Sequence, residues 1–259
     1  MKRLVIICLM LCAISAFGQA ANPGLLAWLG TQDTGGWICP TNGLVADWSF
    51  DGDAIDTIGN VTGTVYGAVL TNGAGGIANT AYYFDGTDDR IDVDDVVDTI
   101  ENDQQGAISF WSRPSDFTVR RAFSLMQYNI ALNWSFICQL CLYNDNPVHR
   151  IIFQTSAATS WSPSAATNAV DEWIHVLFQS NGSTTEIWYN GVKRLVNKDG
   201  ALADGFWIAD LGQRPDYFTF GCLRSTGVSK FYKGRLDAFR IYNQAQTTND
   251  IITLSQEFD

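Results

Sequence analysis

The last predicted strand contains an aspartate at a position that is expected to face the hydrophobic core. Residues 234–242 read GRLDAFRIY, and strict alternation places Asp237 on one face with Phe239 and Ile241. The opposite face then carries Leu236, Ala238, Arg240 and Tyr242. A carboxylate that faces a hydrophobic core is unfavourable unless it is paired, fully hydrogen-bonded or bound to a cation. We therefore expect Asp237 to have a specific partner.

A second set of carboxylates lies in the loop after the first predicted strand. Residues 51–56 read DGDAID, and Gly59 and Asn60 follow. Calcium prefers about six to eight oxygen ligands from carboxylates, amides, carbonyls and water. The spacing differs from an EF-hand, because the later Gly and Glu are absent. The loop is a candidate calcium site; alternatively, its aspartates cap turns while Asp237 pairs with an arginine or with backbone amides.

Another acidic run, residues 85–95, has a higher density of charge but a different pattern. Alternation points Ile91 and Val93 one way and Asp92 and Asp94 the other. This pattern favours a solvated face over a metal site.

The elements that would position these residues are predicted to be strands, with almost no helical periodicity. Asn190-Gly191 separates two alternating runs, as a type I′ hairpin requires, and Ser180–Ser183 predicts another hairpin. Thr248 with Asn249 is expected to cap one short C-terminal helix. The predicted strands are 44–50, 64–70, 81–84, 90–93, 107–113, 121–126, 130–143, 149–155, 173–180, 184–190, 192–196, 216–223 and 234–242. So many strands without a break in composition predict one all-β sandwich of two antiparallel sheets.

Five segments in order resemble LamG-like, or concanavalin A-like, jelly-roll domains. They read LVADWSFDG with DTIGN (44–60), YFDGTDDRIDV (83–93), AISFWSRP (107–114), WIHV with YNGV (173–192) and GRLDAFRIYN (234–243). The resemblance covers residues 43–256 and implies a jelly-roll sandwich. It also implies a structural calcium ion between the first-strand loop and the closing strand, held by Asp51 or Asp56 together with Asp237. Fold alone does not assign a function.

The N-terminus predicts export. Met-Lys-Arg, an apolar run from Leu4 to Ala13 and then small residues are typical of a secretory signal cut near Gly18 to Ala21. We expect a signal peptide over 1–20, an extension over 21–42 and the jelly-roll domain over 43–259. The apolar run is short for a membrane span, so the mature chain is expected to have none.

Four cysteines remain after the signal, namely Cys39, Cys138, Cys141 and Cys222. In an exported chain this number allows up to two disulfides with three connectivities. Cys138 and Cys141 point to opposite faces of one predicted strand. The sequence favours a bridge from that strand to Cys222.

Composition and motifs disfavour two classes of function. The chain has a formal charge of −11 without a basic run, which argues against nucleic-acid binding. Glucanases on this sandwich use a Glu-x-Asp-x-x-Glu strand, whereas the glutamates here are scattered. His175 is expected to be a hydrogen-bonded strand residue rather than a base. A non-enzyme is predicted.

Exposed aromatic rings are what a sugar-binding surface needs. Trp48, Trp111, Trp173 and Trp188 occupy apolar strand positions and are interpreted as core or near-core. Trp161, in a predicted polar loop, and Trp207 with Tyr217 are the candidate ligand-binding residues. The alternative is that each ring anchors its own loop.

The sequence supports three hypotheses. The first is a secreted, non-catalytic module that binds glycans or cell-surface or matrix proteins and is stabilised by calcium. The second is a structural subunit of an extracellular assembly or adhesive surface layer, which self-associates. The third is a divergent glycoside hydrolase.

Overall fold

Two antiparallel sheets form the fold in the computed structural model. It describes residues 38–116, 118, 120–127, 139–145, 148–154, 158–163, 169–200, 203–211, 214–224 and 227–258. The strands are β1 (Leu44–Trp48), β2 (Thr64–Tyr66), β3 (Val69–Thr71), β4 (Ala81–Asp85), β5 (Arg90–Asp92), β6 (Gly106–Pro114), β7 (Arg120–Met126), β8 (Gln139–Asp145), β9 (Val148–Gln154), β10 (Ala158–Pro163), β11 (Ile174–Ser180), β12 (Thr185–Tyr189), β13 (Val192–Lys193), β14 (Val196–Asp199), β15 (Tyr217–Phe220), β16 (Leu223–Arg224), β17 (Val228–Ser229) and β18 (Lys233–Tyr242).

The first sheet has the order β13-β12-β11-β6-β18-β4-β3, and β1 also pairs with β18. The second sheet has the order β14-β10-β9-β8-β7-β15-β5-β2, and β16 pairs with β17. These pairings are antiparallel. The predicted all-β, antiparallel sandwich is therefore confirmed.

Aromatic side chains fill the space between the sheets. Phe239 of β18 lies within 4.7–6.2 Å, centroid to centroid, of five other rings that come from both sheets, namely Trp48, Phe110, Phe123, Phe218 and Phe220. All six residues are buried. Offset and edge-to-face contacts of this kind add to the stabilisation from apolar burial.

Strand β18 contains a β-bulge, and the bulge overturns the predicted faces. Asp237 pairs with Trp111, but Arg240 pairs with Ser109, so Ala238 and Phe239 together oppose one residue of β6. Ala238 has a φ of 47°, in the left-handed region. The core side therefore carries Leu236, Phe239 and Ile241. Asp237 does not share a face with Phe239 and Ile241; it lies with Arg240 on the face of the first sheet away from the core, called the outer face below.

Two α-helices lie in the described part of the chain. Helix α1 (Val97–Ile100) follows a 3₁₀ turn at Asp94–Val96 and was not predicted. Helix α2 (Thr248–Ser255) is the predicted C-terminal helix. Its N-cap is Thr247, one residue before the predicted cap, because Thr247 and Asp250 form a capping box.

The strand predictions differ from the structure in several places. The predicted strands 192–196 and 216–223 are each divided between two sheets, into β13 and β14 and into β15 and β16. The predicted strand 64–70 is divided into β2 and β3, which belong to different sheets. Gly67 between them has a φ of +74°, and a Cβ there would lie 2.1 Å from Asp89 Oδ1. The predicted polar loop around Trp161 is strand β10, which pairs with β9 and β14.

All described residues except Ile38 belong to one unit, Cys39–Asp259. The predicted signal peptide and most of the predicted extension lie outside the described residues, so these domain boundaries stay predictions. In the part of the chain that the structure describes, no helix combines the length and apolar character needed to cross a membrane.

Candidate functional site

The outer face of the first sheet carries polar side chains that are nevertheless buried. Asp237 and Arg240 of β18 retain 1% and 3% exposure, and His175 of β11 retains 1%. The segment around Ala74 and the chain end after α2 cover this face, since Ala74 N donates to Asp237 and Glu257 binds Arg240. The bulge in β18 thus places charged groups in a second, polar interior outside the core.

Arg240 is the cation of this polar interior. Its guanidinium donates to both carboxylate oxygens of Glu257 at 2.7 Å, and its Nε lies 3.2 Å from Asp47 Oδ1. Burial disfavours the charge, but the bonds to Glu257 and the charge of Asp47 raise the pKa of Arg240 above its ordinary value. Burial raises the pKa of Glu257 and of Asp47, and Arg240 opposes both shifts. One cation therefore serves two partly buried acids.

Asp237 is close to this group but has no cation of its own among the described residues. Its Oδ2 accepts a hydrogen bond of 2.8 Å from Ala74 N. Burial raises the pKa of Asp237 to about 7; the bond from Ala74 opposes this shift, while the charges of Glu257 and Asp51 add to it. A Cβ at Gly73 would lie 2.4 Å from Asp237 Oδ2, so this approach requires glycine. Burial of this carboxyl can be balanced by a proton or by a positive charge, and a calcium ion would supply the charge.

The other two predicted calcium ligands differ from each other. Asp51 is exposed and interacts electrostatically with Asp237. Asp56 is fully buried and accepts hydrogen bonds of 2.8–2.9 Å from the backbone amides of Asp47, Ile58 and Gly59. Asp56 therefore shapes its loop, as the turn-capping alternative describes. A calcium ion held by Asp51 and Asp237 stays a prediction.

The second acidic run contains the one group of three acids, among the described residues, that lie close enough together to share a metal ion. It consists of Asp85, Asp88 and Asp89. Asp89 is buried but accepts a hydrogen bond from Asp85 N, and Asp85 accepts one from Thr87 N. The carboxylates of Asp85 and Asp89 therefore cap the turn in which they lie. Downstream, Ile91 and Val93 are buried while Asp92 and Asp94 pair with Arg224, which confirms the predicted alternation.

The predicted ligand-binding aromatics do not form one exposed patch. Trp207 is fully buried and stacks on Phe178 at 5.5 Å, which fits the loop-anchoring alternative. Tyr217 is half-buried, with the Arg224 guanidinium 4.2 Å from its ring centroid. The side chain of Trp161 lies outside the described residues.

The predicted disulfides stay predictions. Cys39 and Cys222 hold free thiols in the structure, so the favoured bridge to Cys222 is not formed there. Burial raises the pKa of Cys222 to about 12, which keeps this thiol protonated. Cys138, and the side chain of Cys141, lie outside the described residues.

A cleft on the outer face is the feature that the sequence did not reveal. Its volume is about 400 Å³, and its walls come from β6, the start of β11, the β12–β13 turn and α2. The lining residues are Trp111, Trp173, Asn190, Gly191, Ile252, Ser255 and Gln256. Trp111 was interpreted as near-core and is indeed buried, but on the outer side of the sheet.

His175 lies behind this cleft and confirms the predicted strand role. Its Nε2 is 2.8 Å from Ser109 Oγ, and its ring centroid is 5.4 Å from that of Trp111. Burial, together with the charge of Arg240, lowers the pKa of His175 to about 3. The imidazole is therefore neutral at pH 7, and it has no acid partner among the described residues that would make it a triad base.

The family model described as "Concanavalin A-like lectin/glucanases superfamily" matches residues 85–252. The chain belongs to the concanavalin A-like lectin/glucanase superfamily. No curated protein matches the chain in sequence.

Solved structures share the fold of the superfamily at low sequence identity. Domain 4 of an extracellular arabinanase from Geobacillus stearothermophilus, in complex with arabinotriose, has 20% identity and a TM-score of 0.54, with 82% of this chain and 98% of that chain covered. The binding domain of Paraclostridial Mosquitocidal Protein 1 has 15% identity and a TM-score of 0.60, with 83% and 52% covered. Trypanosoma rangeli sialidase in complex with sialic acid has 15% identity and a TM-score of 0.58, with 85% and 34% covered. These similarities show the fold alone, and they include both enzymes and binding domains.

Proposed function

We propose that this protein is a secreted, non-catalytic sandwich that binds glycans on extracellular surfaces or matrix and is stabilised by a calcium ion. The observation that carries the proposal is the superfamily sandwich itself, which spans nearly all of an arabinanase domain solved with arabinotriose. The signal-like sequence at residues 1–20 supports export.

Three of the four glutamates are held by partners, which supports a binding role rather than hydrolysis; the fourth, Glu172, is exposed. Glu257 is bound to Arg240, and Glu186 accepts from Gln179, Trp188 and Lys193. Glu101 is paired with Arg214. A glycosidase needs one carboxylic acid with a raised pKa and one free carboxylate on either side of a sugar-sized gap. A glutamate that is already bound to a cation or to an amide is not available for either of these two roles.

Calcium would be held by Asp237 and Asp51, while Asp56 keeps the loop in shape. The ion would supply the positive charge that the buried Asp237 carboxylate lacks. It would also connect the loop after β1 to β18, so that it stabilises the folded chain by mass action.

Glycan binding is tested with arabinotriose, cellotriose, xylotriose and sialyllactose, each titrated into the mature protein in calcium and in chelator. Binding of at least one saccharide is expected. No binding to any of the four, followed by no binding on a broad glycan array, contradicts the glycan part. Reducing-sugar release from any of them would replace it with the hydrolase alternative.

Calcium is tested by thermal unfolding of the wild type, Asp237→Asn and Asp88→Asn, in calcium and in chelator. At a calcium concentration 100-fold above Kd, the wild type should gain about 2.7 kcal/mol. Asp237→Asn should lose this gain, whereas Asp88→Asn, in the other acidic run, should keep it. An equal gain in wild type and Asp237→Asn excludes the proposed site.

The second candidate function, a self-associating structural subunit, has support from two sheet edges. β2 and β3 end the second and first sheets, respectively, and expose apolar side chains: Val65 at 39%, Tyr66 at 42% and Val69 at 55%. Exposed edge strands can pair with another chain. Light scattering at rising concentration tests this role; a monomer at all concentrations removes it.

A further inference from the structure

The cleft on the outer face has the composition of a sugar-binding site. We propose that it is the site that binds glycan, that it takes a neutral saccharide, and that Trp173 is the surface on which a sugar ring stacks. This inference rests on the glycan-binding function proposed above. At about 400 Å³ the cleft lies at the lower end of the range for small-ligand sites, roughly 300–1,000 Å³.

Trp173 provides an aromatic surface that nothing else in the described structure uses. The side chain is partly exposed, and it makes no hydrogen bond and no ring contact with another described residue. The core tryptophans Trp48 and Trp207, by contrast, contact neighbouring rings: Trp48 contacts Phe220 at 5.3 Å and Trp207 contacts Phe178 at 5.5 Å. The C–H face of a sugar ring can cover such a surface while its hydroxyls remain solvated or hydrogen-bonded.

Polar groups for those hydroxyls line the same cleft. Asn190 is exposed, and its Oδ1 accepts from His175 N at 2.8 Å, so its Nδ2 is left to donate to a ligand. Gln256 is exposed at the end of α2 and offers both a donor and an acceptor. A planar amide that faces a tryptophan is a suitable partner for a hydroxyl.

Trp111 is a second tryptophan in the lining of the cleft. It lines the cleft, retains 7% exposure, and its Nε1 has no hydrogen-bond partner among the described residues. A buried donor without an acceptor is unfavourable. Because Nε1 is also closed to solvent, it marks a polar position behind the cleft wall that a ligand in the cleft does not contact.

The walls of the cleft are held in place before any ligand binds. Asn190 N also donates to His175 O at 3.0 Å, which fixes the β12–β13 turn to β11. A Cβ at Gly191 would lie 2.6 Å from Ser255 Oγ, so the turn packs directly on α2. Phe258 packs edge-on against Trp111 at 5.4 Å. A preformed site loses little entropy on binding, which is an advantage for a small ligand.

The charge pattern selects the class of saccharide. None of the seven lining residues carries a formal charge, and the whole chain has a formal charge of −11. A sialic or uronic acid would therefore find no cation in the lining to pair with its carboxylate. The net negative charge of the chain would also repel it. Neutral hexose or pentose units fit the site better.

The inference is tested by calorimetric titration of the neutral trisaccharides cellotriose, xylotriose and arabinotriose, with sialyllactose as the acidic probe. The proteins are the wild type, Trp173→Ala, Trp173→Phe, Gln256→Ala and Tyr66→Ala. Tyr66→Ala is the matched control, because it removes another exposed ring from the second sheet, away from the cleft. Thermal unfolding of each variant confirms that it is folded.

We expect the wild type to bind a neutral trisaccharide, Trp173→Ala to bind it at least about ten-fold more weakly, and Trp173→Phe to recover part of the affinity. Gln256→Ala should weaken binding, and Tyr66→Ala should leave it unchanged. Unchanged affinity in Trp173→Ala overturns the site but leaves the glycan-binding function standing. Binding of sialyllactose as tight as that of the neutral sugars overturns the charge argument. A wild type that binds no saccharide removes the proposed function and this site together.

Discussion

The two faces of the first sheet differ in how they are stabilised. The core face presents Phe239 to five aromatic rings, and the packing there is continuous. The outer face presents Asp237, Arg240 and His175, all buried, and includes a donor at Trp111 and an imidazole Nδ1 at His175 that have no described partner. Close packing of side chains stabilises the core face, whereas ion pairs and hydrogen bonds stabilise the outer face. Because these two polar atoms without a described partner lie on the outer face, we place the candidate ligand site there.

The largest expected effect lies on the core face. Phe239→Ala should destabilise the domain by about 4 kcal/mol, because it removes a buried ring and leaves a cavity among the neighbouring rings. Urea unfolding followed by tryptophan fluorescence measures the loss. Phe239→Leu, which retains most of the volume, is the control and should cost clearly less. A loss under about 1 kcal/mol for the alanine variant would contradict the packing described here.

The outer face should respond nearly as strongly, but for an electrostatic reason. Glu257→Ala is expected to cost about 3 kcal/mol, since it leaves the buried Arg240 guanidinium with fewer partners. Glu257→Gln retains the shape and should cost less. The same denaturation experiment measures both. A Glu257→Gln variant as stable as the wild type, beside a destabilised Glu257→Ala, would show that packing, and not charge, stabilises this position.

The pH dependence of stability should also distinguish the outer face from the core face, because the outer face contains the buried His175. The pKa of His175 is about 3 in the folded state, below its ordinary 6.5. Between these values the unfolded chain binds a proton that the folded chain does not, so this contribution to stability is present above pH 6.5 and is lost as the pH falls. Between pH 6.5 and 5 the loss should be about 2 kcal/mol. His175→Gln should remove this part of the slope, and identical slopes in both proteins would contradict the lowered pKa.

The smallest expected effect concerns the contact between the β12–β13 turn and α2. Gly191→Ala should cost about 1 to 2 kcal/mol, because the residue has a φ of +70° and an added Cβ would meet Ser255. Gly76→Ala is the control. Gly76 has a φ of +74° but open space around it, so this variant should be destabilised only by the unfavourable backbone conformation. Equal thermal shifts for the two variants would show that the turn does not pack tightly on the helix.

Much of the fold could be predicted from local patterns. The Asn190-Gly191 turn was predicted, and both residues have positive φ, at 46° and 70°. The burial of Ile91 and Val93 followed from alternation. These features depend on residues that are near one another in sequence, where periodicity and turn chemistry are informative.

The candidate site could be predicted only in part, because its geometry depends on distant segments. The bulge in β18 lies at Ala238, a residue type that gives no signal for positive φ, so alternation assigned Asp237 to the wrong face. The cleft combines Trp111, Trp173 and Gln256, which meet only when α2 packs on the sheet. Asp56 was predicted as a ligand, but its three amide donors come from a loop conformation that composition does not specify.

The position of β18 has a consequence for biosynthesis. Among the described strands, β1 pairs only with β18, which also lies between β4 and β6. A growing chain cannot close the first sheet until its final strand has been made, so folding is expected to begin late and to proceed slowly through long-range pairing. A truncated polypeptide that ends before Lys233 would leave three strands with open edges and should aggregate instead of folding.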